Sequence, residues 1–324
     1  MNEQLRKLNL TGPRRPTKVD VPAVNRLFSD SFTDRYRRDG LIGVRVPQLN
    51  PDIWRYAMLD AGDGGMLWFD EKSELVAFNM AHHSGVEGWM GPLAVRSDRQ
   101  GLGIGRVIVQ TAVDWLREAG VTTLGLETMP RTVENIGFYG RLGFVPRHLT
   151  VTMTCESRKR HRRIQYECLG DMTAERKLLL VSQCRDRVDG VAAGYDFTRE
   201  FDISVDLEVG DAIVVGKDGE VSGFALWHSA PLTLNRPSDE LRVLKLFAES
   251  AEAFTNVILA IEQCAAKLRL PRIAIRCQTA YEEGYRILTD LGYRVRWTDL
   301  RMTLDGFAEP TMPGEEVLFS NWEI

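Results

Sequence analysis

Leu93-Ala94-Val95-Arg96-Ser97-Asp98-Arg99-Gln100-Gly101-Leu102-Gly103-Ile104-Gly105-Arg106 is the stretch on which the reading of this chain turns. A short apolar run breaks into a glycine-rich turn, and the turn opens a helical pattern that continues to Gly120. Glycine at 101, 103 and 105 removes Cβ atoms that would block a close approach. Successive backbone N–H groups can then converge on an anion at the positive end of the helix, and a pyrophosphate suits such a turn. A nucleotide-binding Rossmann turn fits less well: the three glycines do not form G-x-G-x-x-G, and no acidic residue follows at the expected strand end.

Working outward, Ile104, Ile108, Ala112, Trp115 or Leu116, and Ala119 recur at about one helical turn, which gives the helix one apolar face and leaves Gly120 to cap it. Thr122 to Thr128 reads as a strand, Val133 to Arg141 as a helix and Thr150 to Thr154 as a closing strand. Upstream, Met66 to Phe69 and Leu75 to Met80 flank a polar turn as a hairpin, and Trp89 to Val95 is the next strand. Pro16 to Arg38 reads as an opening turn followed by a helix with Asp20 as its N-cap, and residues 39 to 60 are irregular or partly helical.

The Gln-x-x-Gly-x-Gly turn and, a helix and a strand later, Phe138-Tyr139-Gly140-Arg141-Leu142-Gly143-Phe144 together resemble the GCN5-related N-acetyltransferase (GNAT) family over roughly residues 15 to 155. The resemblance implies an α/β (α+β) fold, with a mixed, mostly antiparallel twisted sheet flanked by helices. It also implies an enzyme that moves an acetyl group from acetyl-CoA to a primary amine by direct attack in a ternary complex. Backbone groups of Gln100, Gly101, Leu102, Gly103, Ile104, Gly105 and Arg106 would hold the coenzyme. The strand end at Leu93, Ala94 and Val95 would pair with its pantetheine arm like an added strand, and the N–H near Val95 would face the oxyanion. An alkylamine is almost wholly protonated at neutral pH, so a base or a desolvating pocket must remove its proton. Glu127 stands where a branch of the family has its base, Glu87 is the second choice, and Tyr139 stands where the family has the acid that protonates the departing thiolate. Where the family often has an asparagine this chain has Thr132, with Asn135 close by, and either is a candidate for touching the cofactor.

The second half repeats the first. Laying Leu142-Gly143-Phe144 on Leu291-Gly292-Tyr293 gives an offset of 149 residues, which also lays Leu124-Gly125-Leu126 on Ile273-Ala274-Ile275. Ala212 to Val215 and Val221 to Leu226 read as the matching hairpin, around Lys217-Asp218-Gly219. The same offset carries Gln100, Gly103 and Gly105 onto Glu249, Glu252 and Phe254, and Glu127 and Tyr139 onto Arg276 and Leu288. Carboxylates repel a pyrophosphate, so the second copy is expected to be degenerate. The expected division is a catalytic domain over 1–157, a basic linker over 158–166 and a degenerate GNAT-like domain over 167–324.

The 324 residues are enough for two cores, and 44% hydrophobic with 27% charged residues is ordinary for a globular chain. A net charge of −4 gives no reason to expect a nucleic-acid partner, and the basic run Ser157 to Arg163, without interleaved aromatics, reads as a solvated linker. No stretch approaches the roughly 18 apolar residues of a membrane span, so no membrane partner and a cytoplasmic setting are expected. The five cysteines form no C-x-x-C pair, and the adjacent His82-His83 point to opposite faces of a strand, which makes poor joint ligands; no metal is expected. The acceptor, a small-molecule amine or a peptide N-terminus, has no signature, and a homodimer stays open. Two rivals remain: a non-catalytic acetyl-CoA sensor, and an acyltransferase that uses a longer acyl-CoA.

Overall fold

The structure, a computed structural model, describes residues 2–158, 162–217 and 219–322. Lys159, Arg160 and His161 of the basic run and Asp218 at the tip of the second hairpin lie outside the described residues. The first half runs α1 (Asn2–Lys7), β1 (Thr11–Arg14), α2 (Val21–Arg38), α3 (Pro51–Ala61), β2 (Gly65–Phe69), β3 (Leu75–Ser84), β4 (Glu87–Val95), α4 (Ile104–Glu118), β5 (Thr123–Thr128), α5 (Val133–Gly140) and β6 (Phe144–Glu156). The second half runs β7 (Glu167–Cys168), α6 (Ala174–Val191), α7 (Thr198–Asp206), β8 (Gly210–Lys217), β9 (Glu220–His228), β10 (Glu240–Ala248), α8 (Ala251–Lys267), β11 (Arg272–Gln278), α9 (Glu282–Asp290), β12 (Arg294–Leu304) and β13 (Val317–Ser320).

Local chemistry accounts for many boundaries. The stretch read as irregular contains α3, started by Asn50, whose side chain accepts from the Asp52 N–H at 3.1 Å, and by Pro51 in the first turn. Asp20 precedes α2 as expected, but its carboxylate takes Thr17 and Arg14 and does not cap that helix. Gly120, at φ +78°, ends the turn after α4. Strand alternation then divides the core. Met66 and Trp68 of β2 face the apolar side of α4, while Leu67 faces α2 and α3 on the other side of the sheet.

All the described strands join one sheet, in the order β1-β2-β3-β4-β5-β12-β6-β11-β10-β9-β8-β7, with β13 added against β10. Each half has the expected mixed sheet flanked by helices, but the two sheets are continuous, which the sequence did not foretell. β12 of the second half lies between β5 and β6 of the first, and β6 reciprocally lies between β12 and β11. The 149-residue offset maps β5 on β11 and β6 on β12, so the exchange has near-two-fold symmetry. Thr150 and Asp299, one offset apart, face each other in register at its centre.

Candidate active site

β4 and β5 are parallel neighbours only from Glu87–Thr123 to Met90–Leu126. Beyond that they separate, and β4 continues to Val95 paired with β3 alone. A cavity of about 790 Å³ opens in the gap. Its walls include Leu93, Ala94 and Val95 on one side and Leu126, Glu127 and Thr128 on the other, with Tyr139 and Asn135 of α5 beside them. The unpaired edge of β4 is where an extended chain could add as a strand.

The glycine turn closes one end. Gly101 and Gly103 have φ +79° and +87°, and a Cβ placed on either would meet nothing within 4 Å, so the space above the turn is open. Gly103 is the N-cap of α4 and supplies no side-chain cap, which leaves the first-turn amides of Ile104, Gly105 and Arg106 for a bound anion. Gln100 folds back to donate to the Val95 carbonyl at 2.9 Å, and Arg38 donates to Gln100 at 3.0 Å. These residues fit a coenzyme pyrophosphate, while the exposed Leu102 side chain leaves only its backbone for that task.

The structure brings most of the expected site residues to this cavity, with three qualifications. Thr132 is fully buried off the cavity wall, where its hydroxyl donates to Asp39 at 2.6 Å; Asn135 reaches the wall instead. Glu87 also points away, accepting from Trp89 Nε1 at 2.9 Å and Ser320 Oγ at 2.7 Å in a buried polar cluster. Glu127 is on the wall but not free. It is ion-paired to Arg276 and to Arg301, the latter at 2.8 Å, and accepts from Thr150. Burial pushes its carboxyl up, but the two guanidiniums outweigh burial and hold it below the ordinary range. The residue that the offset places on Glu127 is thus the one that neutralises it. Burial pushes the Tyr139 phenol well up, so it stays protonated.

His82 is buried on the cavity wall. Its Nδ1 lies 2.8 Å from Asp60 and its Nε2 2.8 Å from the Gly91 carbonyl. Residues that sequence reasoning missed come from the second half. Arg276, Trp297, Asp299 and Trp322 all line the cavity, carried there by β11, by the exchanged β12 and by the chain beyond β13. No local signal marks them, because they arrive by long-range strand pairing.

The matching cleft of the second half is filled. β10 pairs in parallel with β11 only from Glu240–Arg272 to Val243–Ile275, as β4 does with β5, but β13 then pairs with Lys245 to Ala248. An added strand of the chain itself occupies the edge that β4 leaves open. Ser250 caps α8 by accepting from the Ala253 N–H at 3.2 Å, and the buried Phe254 packs on Phe319 of β13 with ring centroids 5.6 Å apart. No anion cradle is left there.

Comparison with known proteins agrees with this geometry. Residues 22–144 match the model of the acetyltransferase (GNAT) family. An uncharacterized N-acetyltransferase, ycf52, of Pyropia yezoensis is 34% identical over 77 residues, which cover 24% of this chain and 42% of that protein. Among solved structures, a putative acetyltransferase from Pyrococcus horikoshii superposes with a TM-score of 0.68 at 15% identity, over 97% of this chain and 94% of the other. A tandem GNAT protein from the clavulanic acid biosynthesis pathway gives 0.58 at 12% identity, over 93% and 99%. The glycine turn and the splayed cleft thus fall within residues 22–144, the part of the chain that matches the acetyltransferase (GNAT) family model.

Proposed function

We propose that the chain is an acyltransferase that moves an acetyl group from acetyl-CoA to a primary amine in a ternary complex, and that the first half is its active half. One observation carries this reading: among the described residues only the cleft between β4 and β5 combines an open strand edge, a glycine cradle and a buried phenol around one cavity, whereas the matching cleft is filled by β13. In this reading the amides of the Gly101–Arg106 turn hold the pyrophosphate, the β4 edge aligns the pantetheine, and the N–H near Val95 faces the developing oxyanion. Tyr139, kept protonated by burial, donates to the sulfur as the C–S bond breaks.

Glu127 takes a different part from the base expected of it. A carboxylate held by two guanidiniums has too little affinity for a proton to deprotonate an ammonium efficiently. We assign it to fixing Arg276 and the exchanged strand at the cavity wall. The test is release of coenzyme A thiol from acetyl-CoA across pooled primary amines. Wild type should release thiol with some pools only, and Tyr139→Phe should lower kcat by ~100-fold or more while KM for acetyl-CoA holds. Acetyl-CoA binding with no release from any pool would replace the enzyme by a sensor.

A further inference from the structure

We infer that the acceptor amine binds as an alkylammonium in a subsite supplied by the second half, with Asp299 as the carboxylate that receives its proton. This rests on the acyl-transfer reading above and adds to it the place where the amine binds and the base. Asp299 lies on β12, at the centre of the strand exchange, and forms part of the cavity wall. Its Oδ1 accepts from Trp297 Nε1 at 3.2 Å, and its Oδ2 lies 3.2 Å from Arg276. Arg276 is shared: it also pairs with Glu127 and donates to the Trp322 carbonyl at 3.3 Å. Of the three acids that line the cavity, Glu134 is solvent-exposed and paired with Arg35 at 2.7 Å, Glu127 has two guanidiniums, and Asp299 has only a part of one.

Aromatic faces complete the subsite. Tyr36 of α2 packs on Trp297 tilted by 31° with ring centroids 6.2 Å apart, and Trp322 stacks on His82 at 6.1 Å; all four line the cavity. The buried Trp322 indole N–H has no hydrogen-bond partner among the described residues. One face of Trp322 is already taken by Lys245 Nζ, 3.6 Å from its centroid, so it is the Tyr36 and Trp297 rings beside the carboxylate that attract an alkylammonium over a neutral or anionic ligand. The charged and titratable groups that face Asp299 are Arg276 from β11, Glu127 from β5 and Tyr36 from α2. Burial raises the Asp299 carboxyl, Arg276 opposes that, and the Glu127 charge reinforces it, with a net shift above the ordinary range. That is the direction a base for an ammonium needs.

The protons balance. R–NH3+ gives one proton to the Asp299 carboxylate, which passes it to water. The free amine attacks the thioester carbon, and collapse of the tetrahedral adduct breaks the C–S bond. The thiolate takes the Tyr139 proton, and the second N–H proton of the new amide nitrogen restores the phenol. The products are the amide, coenzyme A thiol and one proton.

The test uses the full chain with n-butylamine and ethanolamine as probes and n-butanol as the uncharged control. Thiol release gives kcat/KM against pH, and calorimetry of the coenzyme A-saturated protein gives amine binding. Asp299→Asn should lower kcat/KM for the amine by ~100-fold or more, abolish the acid limb, weaken amine binding at least about tenfold and spare acetyl-CoA affinity. Trp297→Phe keeps the ring and removes the hydrogen bond to Asp299, so its acid limb should move to higher pH in a folded, active protein. Asp299→Asn within about threefold of wild type, with an unmoved acid limb, would overturn the inference while leaving acyl transfer intact. Asp299-dependent binding of butylamine without thiol release would instead sink acyl transfer and keep the subsite, and equal binding of butylamine and butanol would sink the subsite.

Discussion

Gly103, like Gly101, carries a strict demand, because its φ of +87° is a conformation that an L side chain enters at a cost of about 1–2 kcal/mol. A methyl group there would also stand in the open space above the turn. Gly103→Ala should therefore raise KM for acetyl-CoA by about tenfold with kcat little changed, read by steady-state kinetics; an unchanged KM would take the turn out of coenzyme binding. Torsional demands of this kind are local, and that is why the cradle was legible in the sequence. The place of Glu127 on the cavity wall was legible too, but its chemistry was not. Its two arginines stand 149 and 174 positions away, and only strand pairing brings them to it. Asp299 and Trp297 escaped notice for the same reason, and Thr132 turns to Asp39 because the start of α5 meets the end of α2, 93 positions away.

At the scale of elements, α7 meets α3 and β3 across a buried polar cluster. Glu200 of α7 bonds Ser84 of β3, and Asp60 of α3 lies close enough for its charge to act on Glu200. Arg199 and Lys245 supply the opposing charge, and Lys245 Nζ lies 3.6 Å over Trp322. Burial and the Asp60 charge push the Glu200 carboxyl up to about 7. A folded-state value above the unfolded one means that the native state binds the extra proton. This group therefore stabilises the fold below the ordinary 4.5 and loses that contribution as pH rises through about 7. Glu200→Gln should gain on wild type by on the order of 1–3 kcal/mol between pH 5 and pH 8, measured by urea unfolding at each; a difference that does not change with pH would rule this out. The hairpins, the amphipathic α4 and the repeat of strands and helices were legible because each has a local period or a turn signal. β13 was not, since three apolar residues and a serine carry no record of which edge they will cover.

For the whole molecule, the exchange of β6 and β12 joins the two halves in one sheet. Cutting the chain after residue 157 would leave β5 and β6 facing a gap that β12 fills in the full chain. Residues 1–157 alone should be aggregated or paired, with β6 of one copy entering the gap of another, as judged by size-exclusion chromatography with light scattering. A well-behaved monomer would show that the exchange is dispensable. The strand that closes the second cleft has a consequence of a different order. By lying along β10, β13 fixes the course of the chain that follows it, and that chain delivers Trp322 into the first cleft beside His82. The half without a cradle has thus become a jig for the half that keeps one: drift in its own vacated groove would be felt as a change in what the other groove admits.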